Sequence, residues 1–252
     1  MPFSPPLSPI AHPVTVSIVS HGQLDLIRPL LEQLDRFSSA MVDKVVLTIN
    51  IPEADVLGDA TFRFPIERIE NAAVKGFGAN HNQAFQRCMT PWFLVLNPDI
   101  RFDSDVLVPL IASASERSGL MTPRILEPGK SEPEQHRRII TPLEILTRHR
   151  SDYRRPAVPV WVPGLFMLLR SAAYVHIGGF DEKRYFMYGE DFDICARLQL
   201  SGWSLQVGED LMVLHDARRA SHGSRKHFFW HISSLLKVWT SQAFWRIRRL
   251  GL

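Results

Sequence analysis

A chain of 252 residues, 45% hydrophobic and 22% charged, has room for one large α/β domain with a substantial core. Its two cysteines, Cys88 and Cys195, both lie in apolar helical contexts, which excludes a disulfide framework and a thiolate metal site. The net charge of +3 is uneven: from Leu211 onward eight Arg and Lys face a single acid, Asp216, so the body is mildly acidic and the tail points to an anionic partner.

The opening MPFSPPLSPIAHP lacks the basic and apolar blocks of a secretory leader, and its prolines predict a flexible arm over residues 1–13. Val14–His21 and Lys44–Asn50 are β-branched runs bounded by turn residues and read as buried strands. Between them, Leu24–Phe37 places Leu24, Ile27, Leu30, Leu31 and Leu34 at helical spacing. A third strand around Ile66–Glu70 precedes NAAVKGFGANHNQAFQRC, which is helical from about Ala79. WFLVLNPD is a strand ending in polar residues, and Asp103–Arg117 reads as a helix started by Asp103 or Ser104. Apolar strands alternating with helices predict a mostly parallel twisted sheet flanked by helices. Ligands of such sheets bind at the carboxyl ends of strands, which selects His21, Asn50 and Asn97-Pro98-Asp99.

The second half is different in texture. KSEPEQHRRIITPLEILTRHRSDYRRPAVP is polar and proline-broken, a connecting or substrate-facing region. VWVPGLFMLLR is an apolar strand, and LQVGEDLMVLH reads as a strand pair ending in His215. Trp161–Leu169 is the longest nearly apolar stretch, too short to span a bilayer, so a cytoplasmic protein is expected. From His227 the chain reads as one helix with Phe228, Ile232, Leu235, Trp239 and Ala243 on one face. The expected division is the arm, a catalytic domain over 14–226, and a basic amphipathic helix over 227–252.

Four stretches carry polar chemistry. Pro98 cannot donate to a ladder, so LVLNPDI ends its strand with Asp99 at the edge, either a carboxylate for a hard divalent cation or a plain turn. In NAAVKGFGANHNQAF, Gly76 and Gly78 permit close backbone approach and Asn71, Asn80 and Asn82 offer neutral hydrogen bonds. The helix start there favours an anion, although a bland Gly-rich turn reads equally well. In YGEDFDICARLQLSG, Asp193 and Arg197 are an i, i+4 pair, whereas Glu190 and Asp191 occupy the first turn. Asp191 heads the apolar stripe of Ile194, Cys195 and Leu198, either as a cap or as a general base kept ionised by the helix terminus. His215 ends a strand as Asp99 does, so the two could meet at one edge.

Together, VSIVSHGQ, N…GFGANHNQAF, FLVLNPDI, GLFMLLRSAAYVHIGGFDEKRYFMYGEDFDICARLQLSGW and VLH resemble family 2 of the inverting glycosyltransferases, in its rhamnosyltransferase-like branch that builds bacterial lipopolysaccharide, O-antigen and other surface polysaccharides. The resemblance covers roughly Val14–Trp239 and implies the GT-A fold. It implies Asp99 and His215 as ligands of Mg2+ or Mn2+ on a nucleotide-diphosphate sugar, and Asp191, in its pair with Glu190, as the catalytic base. It also implies that the Gly76–Asn82 loop lies along the donor, with Asn97 beside it. The chain departs from the family pattern in two places: Asn97 replaces the first metal-motif carboxylate, and TINIPEAD replaces the usual Asp-Asn, leaving Asn50 or Glu53 to read the base. dTDP-L-rhamnose is the expected donor, and a saccharide or polyprenyl-linked molecule the expected acceptor. The tail over 227–252 fits an anionic membrane surface, on the inner face of the bacterial plasma membrane, most clearly over Phe244–Leu252, while its first half reads equally as a helix packing its stripe on the catalytic domain. A sugar-1-phosphate nucleotidyltransferase would want a basic Gly-rich loop after the first strand, and SHGQLDL supplies none. An inactive sugar-nucleotide-binding subunit draws its support from Asn97. No nucleic-acid module accompanies the basic tail.

Overall fold

The computed structural model describes residues 12–55, 57–133, 136–147, 150, 156–216 and 225–251, with backbone alone over 225–231. The expected arm therefore lies outside the described residues except for His12 and Pro13. Strand β1 (Val14–Ser20) leads through α1 (Leu24–Gln33) and a π-turn (Leu34–Ser38) to β2 (Val42–Ile49). β3 (Ile66–Glu70), α2 (Phe77–Phe85), β4 (Trp92–Leu96) and β5 (Ile100–Arg101) follow. After them come α3 (Leu107–Ala112), β6 (Ser118–Leu126), α4 (Pro142–Thr147), β7 (Phe166–Arg170) and α5 (Ser171–Ile177). The chain ends through α6 (Glu190–Leu200), β8 (Ser204–His215), α7 (Arg225–Trp239) and α8 (Gln242–Arg249).

The strands form one sheet in the order β3-β2-β1-β4-β7-β6-β8-β5. It is mixed rather than mostly parallel, because β7 runs against both β4 and β6, and β5 against β8. The remaining pairs are parallel. With β7 reversed, the carboxyl ends of β1, β2, β3, β4, β6 and β8 share one edge with the amino end of β7. β4 explains why its run is apolar without alternation: Trp92, Leu94 and Leu96 face one core cluster and Phe93 and Val95 the other.

Several elements differ from the sequence reading. The helix expected over Asp103–Arg117 is the six-residue α3, because Asp105 rather than Asp103 accepts from Leu107 N at 2.9 Å and is also held by Ser38 Oγ at 2.8 Å. The expected strand pair is the single strand β8, whose register against β6 jumps from Pro123↔Gly208 to Arg124↔Met212, so Glu209-Asp210-Leu211 form an excursion. In the apolar run before β7, Trp161 makes only an isolated bridge to Arg137.

The C-terminal helix is two helices. Ser241 caps α8, accepting from Phe244 N at 3.1 Å. Among the described side chains of α7, Ser234 and Val238 are buried and Leu235 and Trp239 half-buried, while Ile232 is 42% exposed, so the inward face is rotated from the one the spacing selected, although Trp239 still packs on the core. α8 buries Ala243, Phe244 and Ile247 in the same cluster as Phe192 and Ile194 of α6. Each large apolar side chain so buried contributes about 1.5–3 kcal/mol. α8 and Val238 near the end of α7 thus join the core of the body.

Candidate active site

At the β2–β3 end the edge begins with a network of amides. Asn50 is 4% exposed and uses every polar atom of its side chain. Its Nδ2 donates to Lys75 O (2.9 Å) and contacts His21 Nδ1 (3.1 Å), and its Oδ1 accepts from Lys75 N and from Asn71 Nδ2, both at 2.9 Å. Asn71 Nδ2 also reaches Asn80 Oδ1 at 2.7 Å, and Asn80 Nδ2 donates to Gly76 O at 3.0 Å. The ends of β2 and β3 are thereby stapled to the turn that starts α2. Asn71 Oδ1 is buried and has no partner among the described residues. Beneath the turn, His81 bonds Ser17 Oγ at 2.8 Å, and burial holds it neutral, with a pKa down to about 3.

At the other end of the edge, the Ile100↔His215 register brings Asp99 to His215, with Oδ2 and Nε2 3.1 Å apart. Asp99 Oδ1 is buried without a partner. Glu127, just past β6, stands behind the ring with Oε1 3.6 Å from His215 Nδ1. Burial opposes the imidazolium, but the bond to Asp99 and the charges of Asp99 and Glu127 outweigh it and raise its pKa. Among the described residues no three His, Cys, Asp or Glu side chains converge as a metal cage. Asp99 and His215 form a two-sided seat instead. One orphaned carboxylate oxygen beside an imidazole suits a hard divalent cation whose other ligands come from phosphate and water.

The third component heads α6. Gly189, at φ +90°, is its N-cap position and no side chain caps it, so Asp191 is not the cap. Asp191 Oδ1 instead accepts from Phe192 N at 2.8 Å. Burial raises the Asp191 pKa, against the opposing charge of Arg137 and the N–H groups of Phe192 and Gly164. Gly164 lies just before Leu165, whose carbonyl accepts from Asn97 N at 2.9 Å, which sets the head of α6 on the shared edge. Glu190 is 7% exposed with Oε2 unpartnered. Burial and then the neighbouring Asp191 carboxylate push its pKa up to about 8, so Glu190 holds its proton.

Residues 54–176 match the model of glycosyl transferase family 2. Over 248 residues the chain is 28% identical to the rhamnosyltransferase WbbL of Escherichia coli, covering 89% of this chain and 91% of that one. It is 29% identical over 184 residues to the N-acetylglucosaminyl-diphospho-decaprenol L-rhamnosyltransferase of Mycobacterium tuberculosis, covering 65% of this chain and 60% of the relative. The chain is similar to glycosyltransferase family 2 over these residues. Its fold is that of the nucleotide-sugar transferases. The mannosyltransferase PcManGT of Pyrobaculum calidifontis, solved with GDP-Man and Mn2+, superposes with a TM-score of 0.62 at 13% identity, over 83% of this chain and 59% of that one. The S. aureus TarS 1-349 fragment with UDP-GlcNAc gives 0.64 at 14% identity, over 91% and 67%. The chain therefore spans under two thirds of the mycobacterial relative and of the mannosyltransferase.

In this glycosyltransferase His21, Asn50, Asn71, Asn80, Asn97, Asp99, His215, Glu190 and Asp191 all reach the one edge, but not all in the expected capacity. Asn50 is saturated, so it shapes the rim and leaves no group to read a base. Glu53 is likewise engaged: its carboxylate accepts from Gly22 N (3.2 Å) and Leu24 N (3.0 Å), fixing the start of α1. Asn82 is turned away and spent on Phe180 O, Glu182, Phe180 N and Tyr174 Oη, all within 2.9 Å, which removes it from the amide network. Gly76 and Gly78 are small because the chain packs on them: a Cβ would meet Phe186 O at 2.3 Å and Phe180 Cβ at 2.6 Å. Asp193 and Arg197 pair at 2.6 Å, a structural contact as expected. Sequence reasoning missed Glu127 and Arg137. A polar residue directly after β6 was a usable signal for the first, but nothing local marked the second within a run of charges.

Proposed function

We propose that this protein is an inverting transferase that moves a sugar, L-rhamnose from dTDP-rhamnose by preference, to a hydroxyl of a saccharide on a polyprenyl diphosphate, in bacterial surface-polysaccharide assembly. The names of the two rhamnosyltransferase relatives support the sugar, and that of the mycobacterial one supports a polyprenyl-linked acceptor. The observation that carries the reading is that Asp191, at the head of α6, lies on the same edge as the Asp99–His215 seat.

Asp191 takes the proton of the acceptor hydroxyl as its oxygen bonds to the anomeric carbon, and the bond from that carbon to the diphosphate breaks on the opposite face. Glu190, already protonated, neither competes for that proton nor adds charge at the head of α6. Asn71 Oδ1 accepts from the N3–H of the pyrimidine base, since Asn50 has nothing left to offer it. Asp99 and His215 hold Mg2+ or Mn2+, which when bound neutralises charge on the diphosphate.

A thermal-shift screen of nucleotide sugars with Mn2+ tests the donor. dTDP-rhamnose is expected to raise the midpoint most, and a panel without any shift would overturn the reading.

The acceptor's lipid requires work at an anionic surface on the inner face of the plasma membrane. No helix among the described residues is long and apolar enough to cross a membrane. α8 instead exposes Arg246, Arg248 and Arg249 beside Trp245 and Leu250, which are 46% and 60% exposed. Reversing the three arginines to glutamate should abolish flotation with phosphatidylglycerol vesicles. Undiminished flotation would sink the membrane assignment.

A further inference from the structure

Glu127 follows the last residue of β6, and the parallel register Leu126↔Leu214 sets it beside His215. On the other side of β8, the register Ile100↔His215 sets Asp99 against the same residue, and Asp216 N fixes that side by donating to Asp99 O at 2.8 Å. The strand order β6-β8-β5 therefore flanks one imidazole with two carboxylates. Each faces a different nitrogen: Asp99 Oδ2 lies 3.1 Å from Nε2 and Glu127 Oε1 3.6 Å from Nδ1. His215 Nδ1 is buried and makes no hydrogen bond among the described residues, so the carboxylate of Glu127 is the acceptor within its reach. The second Glu127 oxygen is engaged by Lys130 Nζ at 3.3 Å.

We propose that Glu127 is a positioning residue for the cation seat: its carboxylate takes the Nδ1–H of His215, which presents the Nε2 lone pair beside Asp99 and keeps the seat open for a divalent cation. The inference rests on the reading of Asp99 and His215 as that seat. A neutral imidazole carries one N–H, and only the nitrogen without it can bind a metal. With Asp99 as its sole partner, the ring would keep the proton on Nε2, in the bond that closes the seat. A carboxylate at Nδ1 competes for that proton and fixes the ring in the orientation ligation needs. Glu127 is not itself a ligand. It faces the nitrogen turned away from Asp99, and no three His, Cys, Asp or Glu side chains converge among the described residues.

The test titrates Mn2+ alone into the full chain, following the free ion by EPR and histidine coordination by electron spin-echo modulation on protein carrying isotope-labelled histidine. Wild type should show a histidine nitrogen on the ion, and His215→Gln should lose it. Glu127→Leu and Glu127→Ala should weaken Mn2+ binding by ~10–100-fold and lose most of the nitrogen signal. Glu127→Gln, which still offers an oxygen to Nδ1, should keep the signal and most of the affinity. Thermal melts confirm which variants fold, and transfer by Glu127→Leu should recover as Mn2+ is raised, which a damaged fold would not do. Wild-type affinity and signal in a folded Glu127→Leu or Glu127→Ala overturn the proposal. Equal losses in Glu127→Gln and Glu127→Leu also overturn it, and assign Glu127 a charge effect alone. Undiminished Mn2+ binding by Asp99→Asn and His215→Gln would instead overturn the seat, and the proposal with it.

Discussion

The two ends of the active edge are built on opposite terms. On the donor side, Asn50, Asn71 and Asn80 are neutral and spend nearly all their hydrogen-bonding capacity on one another and on the Lys75–Gly76 turn. On the catalytic side, Asp99 Oδ1, Glu190 Oε2 and His215 Nδ1 are buried ionisable atoms without hydrogen-bond partners. A buried polar atom left unsatisfied costs about 1–3 kcal/mol. The first arrangement makes a rigid rim whose shape is set before any ligand arrives. The second keeps unpartnered polar atoms that substrate or cation completes, which is where chemistry is expected.

The largest effect that would sharpen this contrast is at Asp191. Asp191→Asn preserves shape and removes the base, so kcat should fall by ~10²–10⁴-fold while nucleotide-sugar thermal shifts persist. Near-normal turnover would place the chemistry elsewhere. On the donor side the corresponding change is Asn50→Leu, which keeps volume but strands Lys75 N, Lys75 O and two neighbours. Denaturant unfolding should show a loss of about 2–4 kcal/mol, and an unchanged midpoint would mean the rim is not held by the network.

The smallest effect separates the two ends by pH. His81 drops from its ordinary 6.5 to about 3, so below 6.5 the unfolded chain binds the extra proton and stability is lost as pH falls. Glu190 rises above its ordinary 4.5, so the folded state binds the extra proton and stability is lost as pH climbs through its raised value. His81→Gln should flatten the acid limb of the melting profile and Glu190→Gln the alkaline limb. A variant that flattens the wrong limb, or neither, would break the comparison.

What was legible in the sequence was whatever one segment decides by itself. The apolar run of β4 and the register-free boundaries of β3 follow from residue type. The Asp193–Arg197 pair follows from helical spacing. The candidates at strand ends were found because a strand's last residue is fixed by where its apolar run stops. The start of α3 was not, since Ser38, far away in sequence, holds Asp105 in place. Asn82 looked like a donor contact because it shares a short helix with Asn80. One residue separation of two on a helix turns the side chain to another face, and there it met Phe180 and Tyr174.

The sequence alone determined β1 to β4, the carboxylate at the head of α6 and the strand-end histidine, because backbone preference and apolar periodicity act locally. Tertiary structure decided which way β7 runs, and hence that Asp99, Glu127 and His215 share an edge with Asn71. It decided that α8 and Val238 near the end of α7 join the core, and that Arg137 lies against Trp161. Those outcomes depend on contacts between residues tens of positions apart, whose free energy appears only when the apolar faces of several elements close on one another.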